Sequence, residues 1–179
     1  MAHINIRTWM NSKITIHISP IDRRGMFAEA DIKRGDKLLV WGGDYTDKKG
    51  ADLARENGWN SMQWDDNLFS LDFGGDKDKF AINHSCDPNS WMLDAYTISA
   101  RKNIKKGEEI TIDYALFLSY ESYVSDWRCN CKSPMCRGRV TGRDWKNPQL
   151  QERYKDHFSP LLNKRIAGLD SKTTESDSK

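Results

Sequence analysis

The chain has 179 residues, 37% of them hydrophobic and 30% charged, with seven Trp and six Phe. That length fits one domain with a short appendage and can bury a core without disulfides, and the aromatic content excludes a disordered chain. The formal charge of +2, from 28 basic and 26 acidic residues, lacks the basic excess of a protein that grips nucleic acid through its phosphates.

Ile14, Ile16 and Ile18 alternate with polar residues and predict a strand. Asp36 to Trp41 reads as a second, more apolar strand, and Phe69, Leu71 and Phe73 alternate as a third. Ala51 to Trp64 is a weak helix interrupted by Gly58. Met92 to Ala100 and Glu109 to Tyr114 predict two further strands. A short echo links Ile32-Lys33-Arg34-Gly35-Asp36 to Ile104-Lys105-Lys106-Gly107-Glu108: two tight charged turns, each with a glycine that launches a strand. The basic run Lys102, Lys105, Lys106 reads as part of such a solvated turn rather than a nucleic-acid patch. Phe117, Tyr120, Tyr123 and Trp127 either form a helical apolar face or wall a channel.

Asn147-Pro148 places an N-cap before a proline at the first helical position, followed by Leu150, Tyr154 and Phe158 on one face. Ser159-Pro160 starts a second helix carrying Leu161, Leu162 and Ile166, with Gly168 as its expected end. Residues 170–179 contain no hydrophobic side chain and are expected to be disordered.

No span approaches the roughly 20 apolar residues that cross a bilayer. Met1 to Lys13 shows neither an apolar run nor a small-residue cleavage site. The expected location is therefore intracellular, cytoplasmic or, in a eukaryote, nuclear, with reduced cysteines. All four cysteines are Cys86, Cys129, Cys131 and Cys136, the last three in a C-x-C-x4-C cluster among polar residues. Four thiolates fill a tetrahedral zinc shell and leave no open position, which points to one structural zinc. Four unrelated thiols, or a disulfide pair, are the other readings.

Three segments carry a family resemblance: Asn83-His84-Ser85-Cys86-Asp87-Pro88-Asn89; Gly107-Glu108-Glu109-Ile110-Thr111-Ile112-Asp113-Tyr114; and Cys129-Asn130-Cys131 with Cys136-Arg137-Gly138. In that order they resemble the SET domain of protein-lysine methyltransferases with its post-SET zinc loop. Arg24-Gly25-Met26-Phe27-Ala28 looks like the family's first glycine motif, with Arg23 where a first glycine usually stands. The resemblance implies a mainly β fold of small twisted sheets with a knot-like threaded segment. It places a SET domain over 13–115, a post-SET zinc-binding region over 116–140 and a helical extension over 141–169, the last similar to short free-standing bacterial SET proteins.

The resemblance also implies an activity: transfer of methyl groups from S-adenosylmethionine to a lysine presented in an extended segment of a protein substrate. Tyr114 is then the catalytic residue, orienting cofactor and amine. Arg24, Gly25, Met26, Asn83 and His84 contact the cofactor, and Cys86, Cys129, Cys131 and Cys136 hold zinc. Asn67 stands where the family often has a channel tyrosine, so that residue is either missing or supplied from elsewhere, with Tyr45, Trp64 and Tyr96 as candidates. Ile112 stands where Phe or Tyr tunes the number of methyl groups; lacking a hydroxyl, it implies room for a second or third methyl. The rival readings are an inactive SET-fold binding module and a zinc-stabilised nucleic-acid-binding protein.

Overall fold

A computed structural model describes residues 3–72 and 81–176. Its strands are β1 (His3–Ile6), β2 (Trp9–Met10), β3 (Ile14–Ile18), β4 (Arg24–Ala28), β5 (Lys37–Val40) and β6 (Gly43–Thr46). After helix α1 (Lys48–Glu56) come β7 (Asn60–Asp65), β8 (Leu68–Asp72), β9 (Asn83–His84), β10 (Ser90–Met92), β11 (Thr97–Ala100) and β12 (Glu109–Ile112). Helices α2 (Pro148–Arg153) and α3 (Pro160–Ser176) follow. The strands form three four-stranded sheets, ordered β1-β6-β8-β7, β10-β11-β5-β2 and β3-β4-β12-β9. The chain is thus mainly β, with few helices and small curled sheets.

The alternating Ile14–Ile18 segment forms β3 as expected, and the strands at 37–40 and 68–72 fall where sequence places them; Phe73 lies outside the described residues. Three expectations are corrected. The helix expected over Ala51–Trp64 begins at Lys48, where the Asp47 side chain accepts from the Gly50 amide, and stops at Glu56. Gly58 then turns in the left-handed region (φ 79°) and the chain leaves as β7. The strand expected over 92–100 is two strands, because Asp94 accepts from the amides of Tyr96 and Thr97 and makes a turn between them. The helix expected to end at Gly168 continues to Ser176. Gly168 is not in the left-handed conformation that stops helices, and an interior glycine costs only ~1 kcal/mol relative to alanine. Residues 170–176 fall within the bounds of that helix, and 177–179 lie outside the described residues.

The repeated charged turns pair with each other. Ile32 and Ile104 exchange both backbone hydrogen bonds at 2.9 Å and are buried. Gly35 and Gly107 adopt matching left-handed angles, φ 89° and 87°. Asp36 accepts from the Lys33 amide as Glu108 accepts from the Lys105 amide. The echo is thus one turn used twice, each launching a strand, β5 and β12.

β12 is the strand around which the site is built. It runs antiparallel to β4, with Ile110 opposite Met26, and parallel to β9, with Thr111 opposite Asn83 and Ile112 opposite His84. Beyond it the buried Asp113 caps a 3-10 turn, Tyr114–Leu116, by accepting from the Ala115 amide at 3.0 Å. The Arg137 guanidinium reaches both Asp113 oxygens, at 2.8 and 2.6 Å, and also donates to Asp144 at 3.1 Å. Tyr154 donates its hydroxyl to Asp113 at 3.2 Å.

The C-terminal segment closes over this region. Trp145, Leu150, Tyr154, Phe158 and Leu162 share one continuous core with the sheet residues Met26, Ile98, Ile110 and Ile112. The Ser159 amide donates to the Leu116 carbonyl at 2.7 Å, and Arg153 donates to the Cys86 carbonyl at 3.1 Å.

A fully buried carboxylate with one guanidinium partner is costly to strand. Arg137→Met is expected to lower the unfolding free energy by about 3–5 kcal/mol, read as a fall in the urea midpoint. The double variant Asp113→Asn/Arg137→Met should lose clearly less than the sum of the two single changes. Additive losses would mean that the two side chains do not act as a pair.

Candidate active site and metal centre

Two cavities meet at Tyr114. The first, of about 380 Å³, is lined by Ile21, Asp22 and Arg23 before β4, by Asn83 and His84 of β9, by Tyr114, and by Asp126, Trp127, Arg128, Cys129 and Asn130 at the edge of the cysteine loop. Two acidic and two basic side chains share it. The second, of about 350 Å³, is lined by Trp41, Met62, Trp64, Ile82, Tyr114, Phe117, Leu118 and Tyr123, with no charged group. Among the lining residues only Tyr114 belongs to both.

Tyr114 is held at both ends. Its backbone N–H donates to His84 Nδ1 at 3.2 Å, and its hydroxyl donates to the Ile82 carbonyl at 3.1 Å. Burial, with Asp22 and Tyr123 adding to it, pushes the phenol pKa up to about 12. The hydroxyl is therefore a neutral donor in this structure. Since His84 Nδ1 accepts, its Nε2 carries the proton and lies 3.3 Å from Cys86 Sγ. Burial pushes the His84 pKa down to about 4, against the pull of Asp113, so the ring is neutral. His84 thus links the cysteine cluster to the backbone of Tyr114.

Asn83 spans three groups: its side-chain amide donates to the carbonyls of Asp22 and Arg24 at 3.2 and 3.1 Å and to Glu109 Oε1 at 2.7 Å. Glu109 also accepts from the Ser19 hydroxyl at 2.8 and 2.9 Å. This knot fixes the 19–24 loop against β12 and β9. Arg23, in the place of the expected first glycine, still adopts the left-handed conformation that glycine favours (φ 41°). The polar cavity is bordered by residues 21–23, not by Arg24, Gly25 and Met26. Arg24 contributes its carbonyl to the knot, Met26 is fully buried, and a Cβ at Gly25 would overlap the Glu109 carboxylate. The close approach that requires glycine at 25 is therefore to Glu109.

The four cysteines form a possible metal site. All their Sγ atoms lie within 4.8 Å of one another, Cys86 and Cys129 at 4.0 Å. A tetrahedral metal with bonds of ~2.3 Å would set the sulfurs about 3.8 Å apart, so a small contraction suffices. The amides of Arg137 and Gly138 donate to Cys86 and Cys136 at 3.3 and 3.4 Å. Among the described residues no carboxylate or imidazole is a fifth member of the cluster, although His84 Nε2 lies 3.3 Å from Cys86 Sγ.

Of the substitute channel residues, Trp64 lines the apolar cavity. Tyr45 and Tyr96 pack edge to face at 5.4 Å, and the Tyr45 hydroxyl donates to the Trp41 carbonyl. Asn67 sits in the β7–β8 turn and accepts from the Lys48 amide. Ile112 is fully buried in the core and is not among the lining residues. The segment after Tyr114 is not a helical face: Phe117 and Tyr123 line the apolar cavity, Trp127 the polar one, and Tyr120 is exposed. Sequence reasoning missed Trp41, Met62 and Ile82, and also Asp22, Asp126 and Arg128. Trp41, directly before Gly42-Gly43, carried the best available signal.

Residues 23–115, just over half of the 179, match the SET domain family. The chain is similar to a putative histone-lysine N-methyltransferase, ASHH4, of Arabidopsis thaliana: 28% identical over 174 residues, covering 86% of this chain and 47% of that protein. It is likewise similar to the histone-lysine N-methyltransferase ASHH3 of the same plant, 29% identical over 134 residues, covering 65% of this chain and 35% of the relative. A third relative is the histone-lysine N-methyltransferase set1 of Dictyostelium discoideum, 31% identical over 141 residues, covering 70% of this chain and 9% of that protein. The chain thus spans less than half the length of these relatives. No helix among the described residues is long and apolar enough to cross a membrane. With its curled sheets, its Asn-His segment paired to the strand that ends in Tyr114, and its four converging cysteines, the chain belongs to the SET domain family.

Proposed function

We propose that this protein transfers methyl groups from S-adenosylmethionine to the side-chain amine of a lysine in a protein substrate, with a structural zinc on Cys86, Cys129, Cys131 and Cys136. The observation that carries this reading is that a charged polar cavity and an uncharged aromatic cavity share one lining residue, Tyr114. The names of the relatives make a histone tail the first substrate to try.

The polar cavity suits a zwitterionic nucleoside sulfonium. Asp22, Arg23, Asp126 and Arg128 offer partners for both an α-ammonium and an α-carboxylate, and the Trp127 and His84 rings offer flat surface to a base. Bound there, S-adenosylmethionine supplies an electrophilic methyl for a neutral amine. Asn83 keeps the 22–24 loop in place from behind through its amide.

The apolar cavity would desolvate the lysine and disfavour its ammonium form, which in free lysine persists to a pKa of about 10.4. The Tyr114 hydroxyl, anchored on the Ile82 carbonyl, fixes the junction at which nitrogen and methyl carbon must align. The amine proton leaves to solvent, since Tyr114 itself stays protonated. The cysteine cluster, by way of His84 and Arg137, holds Tyr114 and Asp113 in position.

Tyr114→Phe is expected to lower kcat by two orders of magnitude or more while leaving S-adenosylhomocysteine affinity within about threefold. Asn83→Ala should instead weaken that affinity first. Calorimetry together with radiolabel transfer to core histones separates the two, and equal loss of binding and turnover in Tyr114→Phe would make the tyrosine structural.

Activity should rise through pH 8 toward the lysine pKa of about 10.4. No second ionisation should appear from Tyr114, whose own pKa lies near 12. A pH–rate profile peaking below pH 7 would reveal a base that this reading lacks.

Elemental analysis of protein purified without chelator should find close to one zinc per chain. Cys131→Ser should lose the metal, and with it the protection of the 129–138 loop from proteolysis. A folded wild-type protein that turns over without metal would remove zinc from the account.

A further inference from the structure

The four cysteines are unequally covered: Cys86 is buried, Cys129 and Cys131 are partly covered, and Cys136 is exposed. A metal held by four thiolates leaves one bond at a time. The bond that water or a competing ligand reaches first is the one to the exposed sulfur, so Cys136 is the weak member of the set.

Both chain neighbours of Cys136 are gripped by the segment that follows the cysteine loop. On one side, Met135 Sδ accepts from Arg153 Nη2 at 3.0 Å. On the other, Arg137 Nε donates to Asp144 at 3.1 Å, and the Thr141 hydroxyl donates to the same carboxylate at 2.7 Å. Arg153 is the last residue of α2, and its guanidinium is divided: Nη1 donates to the Cys86 carbonyl at 3.1 Å. One side chain thus ties the buried cysteine to the residue beside the exposed one.

The geometry suits arginine in particular. The guanidinium is a planar fork that serves two acceptors at once, whereas an ammonium on a flexible stem holds them far less well. It also lies over the Tyr154 ring, 5.7 Å from the centroid, which fixes its direction. Met135 is itself exposed, so apolar burial does not hold it in place. Four thiolates outweigh the charge of one divalent metal, so the loaded cluster is anionic, and a cation on the Cys86 carbonyl offsets part of that charge.

We propose that Arg153 is a metal-retention clasp: by gripping Cys86 and Met135 together it keeps Cys136 on the zinc and sets how fast the metal leaves. This rests on the zinc reading above. Arg153 is a positioning residue here and touches neither cavity. The loop it holds supplies Cys129 and Asn130 to the polar cavity, so the clasp also keeps that wall in place.

The test loads the full chain with zinc and follows transfer of the metal to the chromogenic chelator 4-(2-pyridylazo)resorcinol. Arg153→Gln should release zinc about tenfold faster, as expected for the loss of hydrogen bonds from a charged donor, at a urea midpoint close to that of wild type. Arg153→Lys, which keeps the charge but not the fork, should fall between the two. Met135→Leu, which removes only the sulfur acceptor, should speed release about threefold. Lys155→Gln, at an exposed lysine nearby in the chain, should leave the rate unchanged. A wild-type rate in either Arg153→Gln or Met135→Leu would overturn the proposal, as would equal acceleration by Lys155→Gln. Faster release matched by a fall in the urea midpoint would make Arg153 structural and likewise overturn it. If Arg153→Gln does not fold, Met135→Leu decides alone. Zinc content of the wild-type preparation is read first: no zinc sinks the zinc reading, whereas bound zinc with equal release rates sinks the clasp alone.

Discussion

The structure depends on one buried charge. Asp113 is fully buried, immediately precedes Tyr114, and has its two carboxylate oxygens divided between Arg137, Tyr154 and the Ala115 amide. Removing such a carboxylate from water is tolerable only with partners of this kind. Each partner lies on a different part of the chain: Arg137 follows the last cysteine, Tyr154 stands at the C-terminal end of α2, and Ala115 begins the turn after β12. Burial of one carboxylate therefore requires the cysteine loop, the C-terminal segment and the strand end to converge on one point, and Tyr114 is carried there with them.

That convergence explains the division of the site. The cysteine loop brings Trp127, Arg128, Cys129 and Asn130 to one side of Tyr114, where they complete a charged cavity with Asp22, Arg23 and Asn83. The turn beyond Tyr114 places Phe117 and Leu118 on the other side, against Trp41 and Trp64 from the sheets. A sulfonium methyl and a lysine amine need opposite surroundings, one polar and ionic, the other desolvating. Under the proposed function, a tyrosine that lines both cavities and is fixed at its hydroxyl and its backbone would orient the two reactants as a neutral donor. The cysteine cluster joins the same network through the Cys86–His84 contact, so a metal held there would act on Tyr114 across two hydrogen-bonded steps.

Much of this was legible in the sequence because the residues concerned are close in the chain or carry strong local signals. The alternating Ile14–Ile18 strand, the Asn147-Pro148 helix start and the paired charged turns all follow from local rules. The Asn83-His84, Asp113-Tyr114 and cysteine motifs come together in the structure, with Asn83, His84, Tyr114 and Cys129 lining one cavity. What was not legible depends on contacts between distant segments. Trp41 and Ile82 become cavity walls only because the apolar region assembles from β5, β7 and the turn after β12. Residues 21–23, and not 24–26, line the polar cavity, and a Cβ at Gly25 would meet Glu109, which also accepts from Asn83. Ile112 looked like a channel residue from its distance to Tyr114, yet strand alternation and the pairing with His84 turn it into the core. Gly168 has the composition of a helix stop, but tertiary packing of Leu161 and Leu162 anchors a helix that runs through it.

The central claim is that the polar cavity holds the methyl donor with its sulfur directed at Tyr114. A crystal structure of the zinc-loaded protein with S-adenosylhomocysteine tests it most directly. The account requires the amino-acid portion among Asp22, Arg23 and Asn83, the base near Trp127, and the sulfur facing the Tyr114 hydroxyl and the opening to the Trp41–Trp64 cavity. Ligand density elsewhere on the protein, or with its sulfur turned away from Tyr114 and the two cavities walled off from each other, would contradict it.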